Sequence, residues 1–221
     1  NGKAKERVRM GVPVRGSRSD IPLKGEFARK ALHLVVLVVP LAVWHWGGDT
    51  SLRILVPLAV GAISGDVLRW KYPPFAHFID RFFGWMIRPS EQPESTGPVL
   101  NGATSILIAA VLTVFLFAPR VAAASIALFV VSDAAAALVG RRFGRHRLGA
   151  KATMEGSSAF IAAGLLVCAF IPGLPVWPAV GVVLVSAVLE AIPTPLNDNI
   201  FVPFAASAVL DVLLRLQSIS L

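Results

Sequence analysis

The stretch FVVSDAAAALVGRRFGRHRLGAKATMEGSSAF, residues 129–160, decides how the rest of this chain is read. It opens as an apolar helix that carries a carboxylate, Asp133. At Gly140 the helix is expected to break into a loop bearing Arg141, Arg142, Arg145, His146, Arg147 and Lys151. Glu155, Gly156 and Ser157 close the loop, and a second apolar helix follows. An acid set in hydrocarbon is costly, and such residues as a rule face a bundle interior where they serve a function. Dense cations beside it are the complement of a polyphosphate held with a divalent metal. The stretch therefore predicts a nucleotide triphosphate meeting a lipid at a membrane surface.

Composition agrees with a membrane setting. Of 221 residues, 55% are hydrophobic and 15% charged, and the mean hydropathy is +0.70. These values describe an integral membrane protein and override the soluble-domain prior that length alone would give. The net charge of +8 is more informative by placement than by sum, and it is not read as a nucleic-acid surface. The single cysteine, Cys168, lies in an apolar run and rules out an intramolecular disulfide or a thiolate cluster. No cleavable signal peptide is expected at the basic start.

The pattern predicts an all-α, polytopic protein with about seven transmembrane helices and one interfacial amphipathic helix. Residues 1–25 read as a basic cytoplasmic tail and 26–221 as a single transmembrane catalytic domain. Apolar runs fall at about 31–46, 52–68, 100–118, 121–139, 157–171, 179–192 and 200–216. Several are shorter than the roughly 20 residues of an upright span. Between the second and third, residues 75–87 alternate aromatic and charged positions as a surface-lying helix does. With the N-terminus inside, eighteen of the 21 Lys and Arg residues lie on the inner side, leaving Arg53, Arg120 and Arg215 outside. That asymmetry orients the chain with its candidate chemistry on the cytoplasmic face. The richness in Ala, Arg and Gly points to a prokaryotic cell membrane.

Four further constellations carry polar chemistry. Glu26, Arg29, Lys30 and His33 fall at i, i+3, i+4 and i+7, on one helix face. That face could merely anchor anionic headgroups, but His33 lies inside the apolar run and needs a polar partner. Asp66 and Arg69, one turn apart, read as a structural pair. Arg88, Glu91, Glu94, Ser95, Thr96, Gly97 and Asn101 could line a headgroup or nucleotide pocket. Glu190 with Asn197, Asp198 and Asn199 offers carboxylate and amide oxygens that suit a hard cation such as Mg²⁺. Asp211 reads as structural. The segment GRRFG, Gly140 to Gly144, lets backbone approach a ligand while two guanidiniums reach toward phosphate oxygens. No Walker A, kinase glycine loop, GxGxxG, zinc spacing or GxSxG elbow is present.

Taken in order, EFARKALH at 26–33, DVLR at 66–69, RPSE at 88–91, SDAAAALVGRRFG at 132–144, KATMEGSSA at 151–159 and Glu190 with NDN at 197–199 form a recognisable series. It resembles the CTP-dependent membrane lipid kinases (dolichol kinase, phytol kinase and the fungal-type diacylglycerol kinase), which are distantly related to phosphatidate cytidylyltransferase. The resemblance covers roughly residues 26–204. It implies phosphoryl transfer from CTP, with Mg²⁺, to a lipid alcohol: a polyprenol, a phytol-like isoprenoid or a diacylglycerol. Carried onto this chain, Asp133, Asp198 and Lys151 would be catalytic. Arg141, Arg142, Arg147 and Lys151, with Gly140 and Gly144, would hold the nucleotide. Asp133, Glu155 and Asp198 would supply metal ligands; from the residues themselves, Glu190 is a further candidate ligand, and Glu26, Arg29, Lys30, His33, Arg88, Glu91 and Asn101 are candidates for a headgroup pocket. Either Asp133 or Asp198 could be the base. One departure is KATMEGS at 151–157, where a Lys-Ser/Thr pair directly before Glu-Gly-Ser is expected. A homodimer is compatible with the resemblance. A cytidylyltransferase would be expected to carry Lys-Asp and His-Gly-Gly elements near its end, which PLNDNIFVPF does not match. An anion transporter is the remaining alternative, although no inverted hydropathy repeat supports it.

Overall fold

The structure, a computed structural model, describes residues 23–87, 91–92, 97–149 and 151–219. Most of the expected N-terminal tail, and Arg88, Glu94, Ser95 and Thr96, lie outside the described residues. Among the described residues eight helices follow in chain order: α1 Leu23–Val35, α2 Val38–Lys71, α3 Pro73–Phe83, α4 Gly102–Leu116, α5 Pro119–Phe143, α6 Met154–Ala169, α7 Val176–Ala191 and α8 Asp198–Ile219. Each of the seven apolar runs is helical. Among the described residues, three helical stretches are long and apolar enough to cross a membrane: Leu23–Lys71, Pro119–Phe143 and Asp198–Gln217. Helices α4, α6 and α7, of 15, 16 and 16 residues, are shorter than the roughly 20 residues of an upright span.

Gly47 divides the first long stretch, because its φ of +77° is a left-handed conformation that glycine alone adopts without strain. The chain thus turns between Trp46 and Gly48, where the run of apolar residues pauses. Helix α3, the expected surface-lying helix, starts earlier and ends earlier than expected. Prolines 73 and 74 open it, where missing N–H groups cost nothing.

Helix α5 is the axis of the bundle. Within their most apolar windows, 78% of α5 is buried, against 22% for Leu23–Lys71 and 28% for Asp198–Gln217. One side packs Ile126, Phe129 and Val130 on Val43, Leu55 and Ile106 of α2 and α4. The other packs Leu128 and Ala136 on Phe160, Val182, Val183 and Leu210 of α6, α7 and α8. Its alanines let neighbours approach closely, as lipid-embedded helices require in the absence of a hydrophobic drive between them. Large apolar side chains such as Val38, Leu58, Phe115, Phe170 and Val188 point outward, which fits a surface solvated by hydrocarbon.

Two expectations about the central stretch need correction. Helix α5 does not break at Gly140; it continues to Phe143, with Gly144 as its cap. The basic segment is not an open loop either, since Arg147–Leu148 (β1) pairs antiparallel with Ala152–Thr153 (β2). Gly149, at φ +67°, makes the turn between them.

The physical reason lies in the crossing of α5 and α6. A Cβ on Gly140 would stand 3.1 Å from Thr153 Oγ1, and one on Gly144 would stand 2.9 Å from Thr153 Cγ2. On Gly156 it would come within 3.1 Å of the Ala136 carbonyl oxygen and 3.3 Å of Gly140 Cα. These glycines are filled by the protein itself. Gly156→Ala is expected to lower the thermal midpoint in detergent, because overpacking against backbone costs about 1–3 kcal/mol. The helix-propensity gain of about 0.5–1 kcal/mol does not offset that.

Candidate functional site: two cavities sharing one polar wall

The polar face of α1 turns toward α5. Glu26, wholly buried, accepts from Arg29 Nη2 at 2.8 Å and lies 3.3 Å from Arg141 Nη1. One turn on, Lys30 donates to Asp133 Oδ2. His33 Nε2 stands 3.4 Å from the same oxygen, with its ring edge-on to Phe129. The i, i+3, i+4, i+7 spacing therefore does more than anchor headgroups: it docks α1 on α5 through interlocked charges. A buried ammonium and carboxylate each demand a partner in low dielectric, and here each is the other's.

Asp66 and Arg69 do not form the pair their spacing suggested. Asp66 accepts from Asn101 N at 3.0 Å and from Asn101 Nδ2 at 2.7 Å. Asn101 in turn caps α4, its Oδ1 accepting from Ala103 N and Thr104 N. Arg69 donates to Asp80 of α3 at 2.8 Å, and to Gln92 Oε1 and Glu91 O at 3.0 Å each. One residue thus fixes the start of α4, and the other fixes α3 and the segment after it. Side chains one turn apart can leave a helix in different directions, and buried neighbours decided this case.

The start of α8 completes the cluster. Asn197 Nδ2 donates to Ser105 Oγ at 2.9 Å, and Asn199 Nδ2 reaches the Gly102 carbonyl at 3.3 Å. Asp198 Oδ1 is paired with Lys151 Nζ at 2.7 Å. Glu190, in the last turn of α7, is 3% exposed, in keeping with an acid kept inside the bundle. Asp211 holds Arg215 one turn away at 2.7 Å on the surface.

A cavity of about 270 Å³ gathers much of this set, including Arg29, Lys30, Asp133, Lys151, Glu190 and Asp198, with Glu91, Asn197 and Asn199 at its rim. A second cavity of about 450 Å³ lies between α1, α2, α3 and α4 and is mostly apolar. Phe75, Ile79 and Phe83 of α3 form one wall, and Ala62 and Gly65 of α2 face them. His33, Asp66, Arg69 and Asn101 line its polar end. Arg29, Lys30, Glu91 and Asn199 border both cavities. Gly102 stands at that junction, where a Cβ would lie 3.2 Å from Asn199 Nδ2 and 3.6 Å from Arg29 Nη1.

Not every expected residue joins. Arg142 is exposed, its guanidinium 6.0 Å from the Phe143 ring centroid, and Arg147 sits outward on β1. Neither lines a described cavity, and nor do Gly140 and Gly144. Glu155 accepts from the His146 ring at 2.8 Å and its backbone N–H at 3.2 Å. Its own backbone N–H, and next the His146 ring, hold that carboxyl down to about 2. It is a clasp for the hairpin and lines neither of the two cavities. Sequence reasoning missed Gly102, whose only cue was its place beside Asn101, and Asp80, hidden in an amphipathic helix.

No family model matches the chain, and no solved structure matches it. Over 150 residues it is 27% identical to CTP-dependent diacylglycerol kinase 1 of Schizosaccharomyces pombe (strain 972 / ATCC 24843). The match spans 66% of this chain and 66% of that protein, slightly under two thirds of the relative's length. That similarity is to a protein named as a CTP-dependent diacylglycerol kinase.

Proposed function

We propose that this chain transfers the terminal phosphate of CTP to the hydroxyl of a membrane lipid alcohol, on the cytoplasmic face of the membrane. The observation that carries the reading is the pairing of a charged cavity with an apolar one along a shared wall of Arg29, Lys30, Glu91 and Asn199. A nucleotide and a lipid have opposite solvation needs. A kinase that joins them has to hold each in its own environment with the reacting atoms at the seam.

Phosphoryl transfer passes through a loose transition state, so catalysis is mostly positioning and charge neutralisation. Lys30, Arg29 and Lys151 would meet the phosphates. Asp133 would act by holding Lys30 in place, and Asp198 by holding Lys151. Arg141 would support this arrangement through Glu26, in place of the outward Arg142 and Arg147. Among the described residues no group of three or more His, Cys, Asp or Glu side chains could by itself hold a metal ion. Mg²⁺ in such enzymes is bound by one or two carboxylates together with substrate phosphates. Asp198 and Glu190, with the amide oxygens of Asn197 and Asn199 in the same cavity, fit that requirement. Bound there, the ion would supply neutralisation of phosphate charge. Polyprenol, phytol-like isoprenoid and diacylglycerol are the acceptor classes, the last being in the relative's name.

The test supplies γ-labelled CTP, Mg²⁺ and a panel of these alcohols to purified protein in detergent. Label passing from CTP to an organic-phase product is the expected result. Cytidine entering the lipid while label leaves as pyrophosphate would establish a cytidylyltransferase in its place. No turnover of CTP or ATP with any alcohol would sink the enzyme reading.

A further inference from the structure

The acceptor's place, and what limits it, can be argued from α2. The exposed surface of α2 carries bulky residues such as Leu41, Ile54, Leu58 and Leu68, yet Ala62 and Gly65 line the 450 Å³ cavity together with Phe75, Ile79 and Phe83. At Gly65 a Cβ would meet no atom within 4 Å. Its helical position needs no glycine for conformation, because its φ is not in the left-handed range, and an interior glycine costs helix stability. Open space beside a residue whose backbone does not require it is a feature that packing leaves unexplained.

The opposite wall is similarly built. Phe75, Ile79 and Phe83 recur at intervals of four on α3 and face the cavity, while Phe78 and Phe82 point outward with their rings 5.1 Å apart. Helix α3 thus has apolar groups on both sides, one toward the cavity and one exposed on the outer surface. Arg69 pins it to α2 through Asp80. At about 450 Å³ the cavity falls within the roughly 300–1,000 Å³ of small-molecule sites. It can enclose the first part of one hydrocarbon chain, and the remainder of a long lipid would lie in the bilayer.

We propose that this cavity seats one hydrocarbon chain of the lipid acceptor beneath α3, and that Gly65 sets the width of the seat. The assignment rests on the kinase reading only for why a hydroxyl should be brought to the seam with the polar cavity. The chain seat itself follows from the apolar walls, the open space at Gly65 and the continuity with Arg29 and Lys30. An isoprenoid alcohol and one arm of a diacylglycerol share the required chemistry.

The experiment compares wild type with Gly65→Ala, Gly65→Val and Gly65→Leu, and with Gly61→Leu as control. Gly61 is one turn away, exposed, equally open around its Cβ and outside the cavity. Each protein is photo-crosslinked with a diazirine-bearing long-chain alcohol, assayed for label transfer from CTP to a polyprenol and to a diacylglycerol, and melted with and without CTP. Crosslinking and transfer are expected to fall in step with side-chain size, at least tenfold for Gly65→Leu. The CTP-induced rise in melting temperature should persist, and Gly61→Leu should match wild type throughout. Should Gly65→Leu fail to fold, the Ala and Val variants still give the graded series. Wild-type crosslinking and transfer by a folded Gly65→Leu or Gly65→Val would overturn the seat and leave the kinase reading standing. Crosslinking that Gly65→Leu blocks, with no lipid phosphorylated by wild type, would keep the seat and remove the kinase reading. Loss of transfer for one acceptor alone names the lipid whose chain uses the seat.

Discussion

Asp133→Asn is expected to remove nearly all phosphoryl transfer and to destabilise the fold together. Lys30 and Asp133 are 4% and 9% exposed and are bonded to each other. Removing one partner of a buried pair strands the other charge, which costs about 3–5 kcal/mol. Loss of a preorganised charge at the reacting phosphate would lower the rate by on the order of 10²–10³, and displacement of Lys30 is expected to have that effect. The two consequences can be separated. The double variant Lys30→Met, Asp133→Leu replaces the pair with apolar groups, a change that is often neutral or stabilising. It should recover the melting temperature without recovering turnover. A double variant that regained turnover would show the pair to be a structural bolt only.

Arg29→Lys is the second large effect, and it tests the seam between the cavities. Arg29 lies 2.8 Å from Glu26 and 3.7 Å from Glu91, and borders both cavities. Its guanidinium can bond Glu26 with one edge and offer its remaining donors to a phosphate; a lysine ammonium cannot hold both in a fixed plane. Charge and folding should survive, since lysine can still pair with Glu26. Turnover at saturating CTP should fall on the order of 10²-fold with little change in melting temperature. A rise in KM alone, at unchanged kcat, would place Arg29 in ground-state nucleotide binding and not at the transferring group.

The hydropathy of the chain carried the architecture well. Each apolar run is a helix, and the cluster that lines the two cavities was visible as Arg29, Lys30, His33, Glu91 and Asn101, with Asp133, Glu190 and Asp198. What could not be read was direction. Gly140 looks like a helix breaker in sequence, yet it is needed because α6 crosses there, a fact that depends on Gly156 and Thr153. The cations of GRRFGRHR look equivalent, but a helix that continues to Phe143 sends Arg141 inward to Glu26 and Arg142 outward. Asp66 and Arg69 look like partners because spacing is local information. Their actual partners, Asn101 and Asp80, were selected by how α3 and α4 return to α2. Glu155 looked like a metal ligand, and spacing gave no sign that the hairpin brings His146 to it.

The contacts that build the charged cavity also set when it can exist. Lys30 and Asp133 are 103 residues apart, Glu26 and Arg141 are 115, and Asn199 and Gly102 are 97. A chain made at roughly 5–20 residues per second would leave Lys30 waiting roughly 5–20 seconds for its carboxylate. Through that interval the charged face of α1 has its own Arg29–Glu26 pair and, once residue 91 is made, Glu91, but not yet its partners on α5. It can settle inward only when α5 arrives, and the wall closes only when α8 delivers Asp198 and Asn199. The shared wall is therefore complete only once α8 is made, and a chain stopped before that helix carries Arg29, Lys30 and Glu91 without the Asn199 that joins them.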